Sequence, residues 1–281
     1  MITTCIGSNN NLNYLKLAVK SVRKNHYYKN NPLLIFSENS EDGTVEWLQE
    51  NKDKYNFKYV YHKVRDENGL RGIGGSMNML ASLVTTEYIN FIHADMYVAE
   101  NQDLELFKLF NKQDKPLVAS SYRIEPCVFD SINRPGTFKT NIFGDTFENF
   151  EEQLFLEFSK EFSALNNTTY RKAEGVSFMI RKKDWDFIGG NDPIFNPLSF
   201  DDIDLFIRMQ NANFHFIQTS KSVVFHFGSR SANGHFPTDT FKRSDRQKFY
   251  EERNAKLFID KWGERPEFDE VGFIKPIKKV K

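Results

Sequence analysis

The chain has 281 residues, 27% of them charged and 40% apolar, which fits a globular protein and excludes a disordered one. Its 38 basic and 38 acidic residues cancel, so bulk charge does not carry it onto nucleic acid, and none of its apolar runs approaches the ~20 residues that cross a bilayer. Two cysteines, Cys5 and Cys127, are too few for a disulfide framework and are compatible with a reducing compartment.

Residues 2–6 read as a first strand. Leu12, Leu15, Val19 and Val22 then recur at helical spacing, with Lys16, Lys20, Arg23 and Lys24 on the other side. Residues 33–36 form a second strand, 44–51 a helix and 57–61 a third strand. A glycine-rich turn over 69–75 leads into a helix over 77–84, followed by a fourth strand over 88–92. Leu104, Phe107, Leu109 and Phe110 mark a further helix, and 117–119 a further strand.

Short apolar strands separated by helices predict an α/β fold, a Rossmann-type, mostly parallel sheet with helices on both faces. Ligands of such sheets bind beyond the carboxyl ends of the strands. The alternation breaks after Arg123. Residues 125–171 read as irregular apart from one helix over 147–162, and strand character resumes over 173–180. Residues 189–192 make a turn, and Ser199 starts an acidic helix. Strands over 214–217 and 223–225 follow, then a mobile loop over 227–237 and a last helix over 243–262.

The pattern predicts one domain in two halves, 1–123 and 124–263, with a C-terminal tail over 264–281 whose last residues, 274–281, are basic and read as a frayed, solvated end. The 28 phenylalanines are expected to fill the core. The N-terminus has no basic stretch followed by an apolar core, so a cytoplasmic location is expected.

Chemistry concentrates at a few points. Phe200 to Arg208 places Asp201, Asp202 and Asp204 within four positions. Like charges that close need a cation, a proton-transfer task or a helix N-terminus to use them. Ser199 three residues before Asp202 also reads as a capping-box-like helix start. His93-Ala94-Asp95 ends one apolar run and His226 ends another. A carboxylate and imidazoles at strand ends are candidate metal ligands. Asp42-Gly43 favours a turn. Arg71-Gly72-Ile73-Gly74-Gly75 precedes a helix whose backbone N–H groups could hold phosphate oxygens, without the Gly-Lys-Ser/Thr of a Walker loop.

These pieces, in this order from Ile2 to Gly263, resemble the inverting, nucleotide-sugar-dependent glycosyltransferases of family 2, which have the GT-A fold. The resemblance implies a nucleoside-diphosphate sugar donor, a UDP-sugar by family default, and a carbohydrate or glycoconjugate acceptor. It implies a divalent cation, Mn²⁺ or Mg²⁺, held by Asp95 and His226. Ser37-Glu38-Asn39-Ser40-Glu41-Asp42-Gly43-Thr44 looks like the family's acidic turn, which places Glu38 and Asp42 at the nucleoside.

Arg71 and Asn78 match the family's glycine-containing loop and the Asn that follows it. His93 stands where the family's Asp-x-Asp motif begins, and Asp95 where it ends. Asp201-Asp202-Ile203-Asp204-Leu205 looks like the Glu-Asp-x-Asp-Leu motif, which makes Asp202 the general base and puts Asp201 beside the acceptor. Gly189-Gly190-Asn191-Asp192 resembles the turn bordering the acceptor pocket. Asp192 would touch a sugar hydroxyl there, and Trp185 is core or a stacking surface. The loop after His226 would close over the donor, with Arg230 and His235 facing phosphate.

Two other readings stay open. A nucleotidyltransferase shares the sheet and the metal–phosphate chemistry, but Gly7-Ser8-Asn9-Asn10-Asn11-Leu12 lacks the expected basic residue. A degenerate, non-catalytic nucleotide- or carbohydrate-binding module would explain His93 in place of an acid.

Overall fold

The computed structural model describes residues 1–64, 69–111, 114–127, 136–171, 175, 177–228, 245–270 and 272–278. Among these residues ten strands form one sheet in the order β3-β2-β1-β4-β9-β6-β10-β5, with β7 added to β6 and β8 to β10. The strands are β1 Ile2–Ser8, β2 Leu33–Glu38, β3 Lys58–His62, β4 Tyr88–His93, β5 Met96–Val98, β6 Leu117–Glu125, β7 Thr137–Lys139, β8 Thr168–Arg171, β9 Phe178–Arg181 and β10 His215–His226. The helices are α1 Leu12–Asn25, α2 Thr44–Asn51, α3 Gly72–Leu83, α4 Gln102–Phe110, α5 Glu152–Ala164, α6 Lys182–Ile188, α7 Asp201–Asn211 and α8 Asp245–Trp262.

β1 pairs in parallel with both β2 and β4, and β2 with β3. β9 runs antiparallel between β4 and β6, so β6 points the same way as β4. β10 is parallel to β6. All the long strands therefore end on one edge of the sheet, where an α/β fold collects its polar residues. β5 and β8 run against β10.

Burial follows the helical and strand periods. Leu15, Ala18, Val19 and Val22 of α1 pack with Leu48 of α2 on the strand residues Ile6, Leu33, Ile35 and Ile92. Leu106 and Phe110 of α4 cover the same side near Ile2 and Tyr88. On the opposite side, Met77 and Leu80 of α3, Trp185 of α6, Leu205 to Met209 of α7, and Phe258 and Trp262 of α8 bury Phe91, Phe178 and Ile180. Phenylalanines fill the space under α5: Phe143, Phe155, Phe225 and Phe227 are all wholly buried, and Phe225 and Phe227 meet edge-on at 4.8 Å. Among the described residues, no helix is long and apolar enough to cross a membrane.

The structure departs from the sequence expectation in four places. The glycine-rich segment is not a turn before a helix but the first turn of α3, which begins at Gly72. The stretch read as irregular contains β7 and β8 as well as α5. The two late strands are one, β10, interrupted by a bulge between Thr219 and Val223 that takes up the polar residues separating the apolar runs. The tail is not solvated throughout. Ile274 and Ile277 are buried in the core, and their carbonyls accept hydrogen bonds from Gln210 (3.1 Å) and Asn211 (2.8 Å) of α7. Two isoleucines spaced three apart among lysines were apolar enough to dock, and the basic residues between them hid that.

Candidate metal and nucleotide-sugar site

Glu38, His93, Glu125 and His226 are the last residues of β2, β4, β6 and β10, and these four strands run the same way, parallel to their neighbours or, for β4 and β6, across antiparallel β9, so their ends line one edge. Asp95 joins them through a turn. The chain leaves β4 at His93, turns through Ala94-Asp95 and enters β5, whose Met96 pairs with His226. The Phe227 amide then donates to the Asp95 carbonyl at 3.0 Å, which pins the turn beside the end of β10.

His93, Asp95 and His226 each offer a ligand atom, and these atoms lie within 4.8 Å of one another. His226 Nε2 is 3.5 Å from Asp95 Oδ1, and its Nδ1 is 2.7 Å from Glu125 Oε1. All four groups are mostly or wholly buried. Burial works against charge on His226, but the carboxylates of Asp95 and Glu125 outweigh it and push its proton affinity up to about 9. His93 goes the other way. Burial, helped by the positive charges of His226 and Arg123, lowers it to about 4 against the pull of Asp95.

The arrangement fits a divalent cation. His93 Nε2 is buried with no hydrogen-bond partner among the described residues, and a buried nitrogen of that kind is costly unless a ligand engages it. A carboxylate bonded to the far nitrogen of a ligating imidazole is the usual support of a metal-bound histidine. Glu125 was missed in the sequence because β6 appeared to end near Ala119, six residues early.

The residues expected to hold the nucleotide divide by role. Glu38 is buried, and its two oxygens accept from the amides of Arg71 and Gly72, both at 2.9 Å, with His62 Nδ1 at 3.3 Å. This carboxylate, not a phosphate, occupies the start of α3, which corrects the reading of the glycine loop as a phosphate cradle. Asp42 ties two helices together, accepting from the Leu12 amide at 2.8 Å and from the Thr44 hydroxyl at 2.5 Å. Asn78 holds the Asn191 backbone with both ends of its amide, at 2.8 and 2.9 Å, and so joins α3 to the 189–192 turn. The Arg71 guanidinium makes no hydrogen bond or ion pair with any described residue.

The glycines of α3 are there for packing. A side chain at Gly74 would come within 2.6 Å of Asp201 Oδ2, and one at Gly72 within 1.6 Å of the Pro197 carbonyl oxygen. The helix lies directly against the segment that leads into α7.

The three acids of α7 have three fates. Asp204 is wholly buried and receives Arg208 Nε at 2.8 Å, Trp262 Nε1 at 2.9 Å and Lys261 Nζ at 2.6 Å. Asp201 lies against α3 and accepts from the Gly74 amide; burial, then the Asp202 charge, raise its proton affinity to about 7. Asp202 is exposed, with Oδ1 2.8 Å from the Ile203 amide. The capping box does not form. Phe200, with φ of 69°, takes the position before the helix and no side chain caps it.

Asp192 is bonded to Lys261 Nζ at 2.6 Å and to the Ile194 amide at 3.1 Å, so both oxygens are engaged inside the fold. Trp185 is 3% exposed and packs on Phe91 at 4.8 Å. Of its two readings the core one holds, and no ring face is offered to a sugar. Arg230 and His235 lie outside the described residues.

The chain belongs to glycosyl transferase family 2, whose sequence pattern matches residues 3–187. Its fold is that of the GT-A glycosyltransferases. GalNAc-T7, solved with UDP, GalNAc and Mn²⁺, superposes with a TM-score of 0.60 at 14% identity, over 94% of this chain and 56% of that one. TarS of S. aureus gives 0.54 at 13% identity, over 82% of this chain and 37% of that one. TarS 1-349 in complex with UDP-GlcNAc gives 0.52 at 13% identity, over 84% and 61%. The chain thus spans less than two thirds of each of these structures. No curated protein sequence matches it.

Proposed function

We propose that this glycosyltransferase moves a sugar from a nucleoside-diphosphate sugar, a UDP-sugar in the first instance, to an acceptor hydroxyl with inversion and with the help of a divalent cation. The observation that carries the reading is the meeting of His93 and Asp95 with His226, from two distant stretches of chain, at the edge where this fold binds ligands. Family membership supports it, as do the UDP and UDP-GlcNAc complexes of structurally similar proteins.

His93, Asp95 and His226 would hold the cation, which when bound supplies Lewis-acid stabilisation of the charge developing on the diphosphate. Glu125 keeps His226 turned toward the cluster. Arg71 adds a positive charge near the nucleotide end, where Glu38 and Asp42 fix the shape of the loops. Asp202, exposed in the first turn of α7, takes the proton of the attacking hydroxyl. Base and leaving group on opposite sides of the anomeric carbon make the displacement inverting. The donor half is 1–123, and the acceptor and catalytic half is 124–263.

Asp202→Asn keeps the shape and removes the base. Transfer, followed as release of nucleoside diphosphate, should fall by about 10²–10⁴-fold. UDP binding measured by calorimetry should stay within about twofold. Full activity in the variant would remove Asp202 from the mechanism. Pyrophosphate in place of nucleoside diphosphate among the products would overturn sugar transfer altogether.

A further inference from the structure

The ion site has an unusual balance of donors for a sugar-nucleotide enzyme that could run on magnesium. It offers two imidazoles and one carboxylate, His93, His226 and Asp95. Magnesium takes oxygen ligands and keeps several waters, whereas imidazole nitrogen suits first-row transition ions. The second carboxylate nearby does not add an oxygen to the cluster. Glu125 is wholly buried at the end of β6, and its Oε1 is spent on His226 Nδ1 at 2.7 Å. That bond keeps a hydrogen on Nδ1 and turns Nε2, the nitrogen on the Asp95 side at 3.5 Å, into the cluster, where an arriving ion would displace the Nε2 proton. On the other flank, His93 Nε2 is buried without a hydrogen-bond partner among the described residues.

We infer that this chain's site selects a nitrogen-accepting first-row divalent ion over magnesium. In this arrangement His93 sets the selectivity, and Glu125 is a positioning residue that holds His226 for the ion. The inference rests on the ion site of the proposed function but not on sugar transfer. His93 stands where the family pattern has an acid. Exchanging it removes one oxygen and one negative charge from the cluster and adds a nitrogen, which moves the preference from hard to borderline ions.

The test is ion binding by the chelator-treated 281-residue chain, titrated with Co²⁺ and with Mg²⁺, each with and without UDP as the nucleotide probe. Calorimetry gives affinity, and the visible absorption of Co²⁺ reports nitrogen ligation. Co²⁺ should bind at least about 100-fold more tightly than Mg²⁺. His93→Asp should narrow that ratio at least about tenfold and weaken the Co²⁺ absorption. Glu125→Gln should cost about 10–100-fold in Co²⁺ affinity and alter the visible absorption of the Co²⁺ that still binds, beyond any loss of stability in the ion-stripped chain.

If Glu125→Gln does not fold, His93→Asp and the wild-type ratio decide alone. Equal affinity for the two ions, or a ratio untouched by His93→Asp, overturns the inference. Failure to bind either ion, even with UDP, overturns both it and the cation's part in the proposed function. Selective Co²⁺ binding in a chain that transfers no sugar upholds the inference and counts against the transferase reading.

Discussion

Asp201, Asp202 and Asp204 look interchangeable in the sequence, yet their surroundings give them different chemistry. The protonation of Asp201 bears on stability. Its folded proton affinity is raised from 3.8 to about 7, by burial and then by Asp202. Between those values the folded chain keeps a proton that the unfolded chain has lost. Stability therefore falls as pH rises from about 4 to about 7, and the full penalty applies above that. Asp201→Asn should raise stability by about 2 kcal/mol at pH 8, after discounting a partly exposed group for screening. It should change it little near pH 4. Urea denaturation at the two pH values checks this, and an equal gain at both would show that charge is not the cause.

At the level of elements, the acceptor half is held by a few buried polar joins. Asp204 links α7 to α8 through Lys261 and Trp262, and Arg208 carries on to the Ile188 and Gly190 carbonyls at 2.7 Å each. Asp204→Ala would leave buried donors without their acceptor and should cost about 3–5 kcal/mol by chemical denaturation. A cost under 1 kcal/mol would mean that the join is solvated. The packing of α3 on the 196–201 segment makes a second prediction. Gly72 has φ of +64°, and a methyl group there would also meet the Pro197 carbonyl. Gly189 has φ of +77° with nothing within 4 Å. Gly189→Ala should cost only the backbone term, about 1 kcal/mol, and Gly72→Ala at least twice that. Equal costs would mean that the α3 contact yields.

For the whole molecule, one sheet direction does most of the organising. Because β2, β4, β6 and β10 end on the same edge, residues more than 130 positions apart in the chain, His93 and Asp95 on one side and His226 on the other, meet without a dedicated loop. The C-terminal segment closes the other side of the core. Replacing Ile274 and Ile277 together by Asp should lower stability by at least about 3 kcal/mol, because each side chain leaves a buried apolar site. Thermal melting measures it, and an unchanged melting temperature would return the tail to the solvent.

Much of this was legible from residue order alone. The βα alternation and the placement of His93 and His226 at strand ends, with Asp95 just beyond, are local consequences of apolar periodicity and of where polar residues interrupt it. Other features depended on partners far away in sequence. Periodicity does not reveal that β9 inserts antiparallel between β4 and β6, or that β5 folds onto β10 and so presses Asp95 against His226. Nor does it show that Glu125 ends a strand, that Asn78 and Asp192 spend their polar atoms inside the fold, or that Glu38 takes the helix start that seemed made for phosphate. Hydrophobic pattern determines which residues turn inward along each element. Which polar groups then face one another is decided only when strands choose neighbours, because a hydrogen bond depends on ångström distances that no spacing along the chain contains.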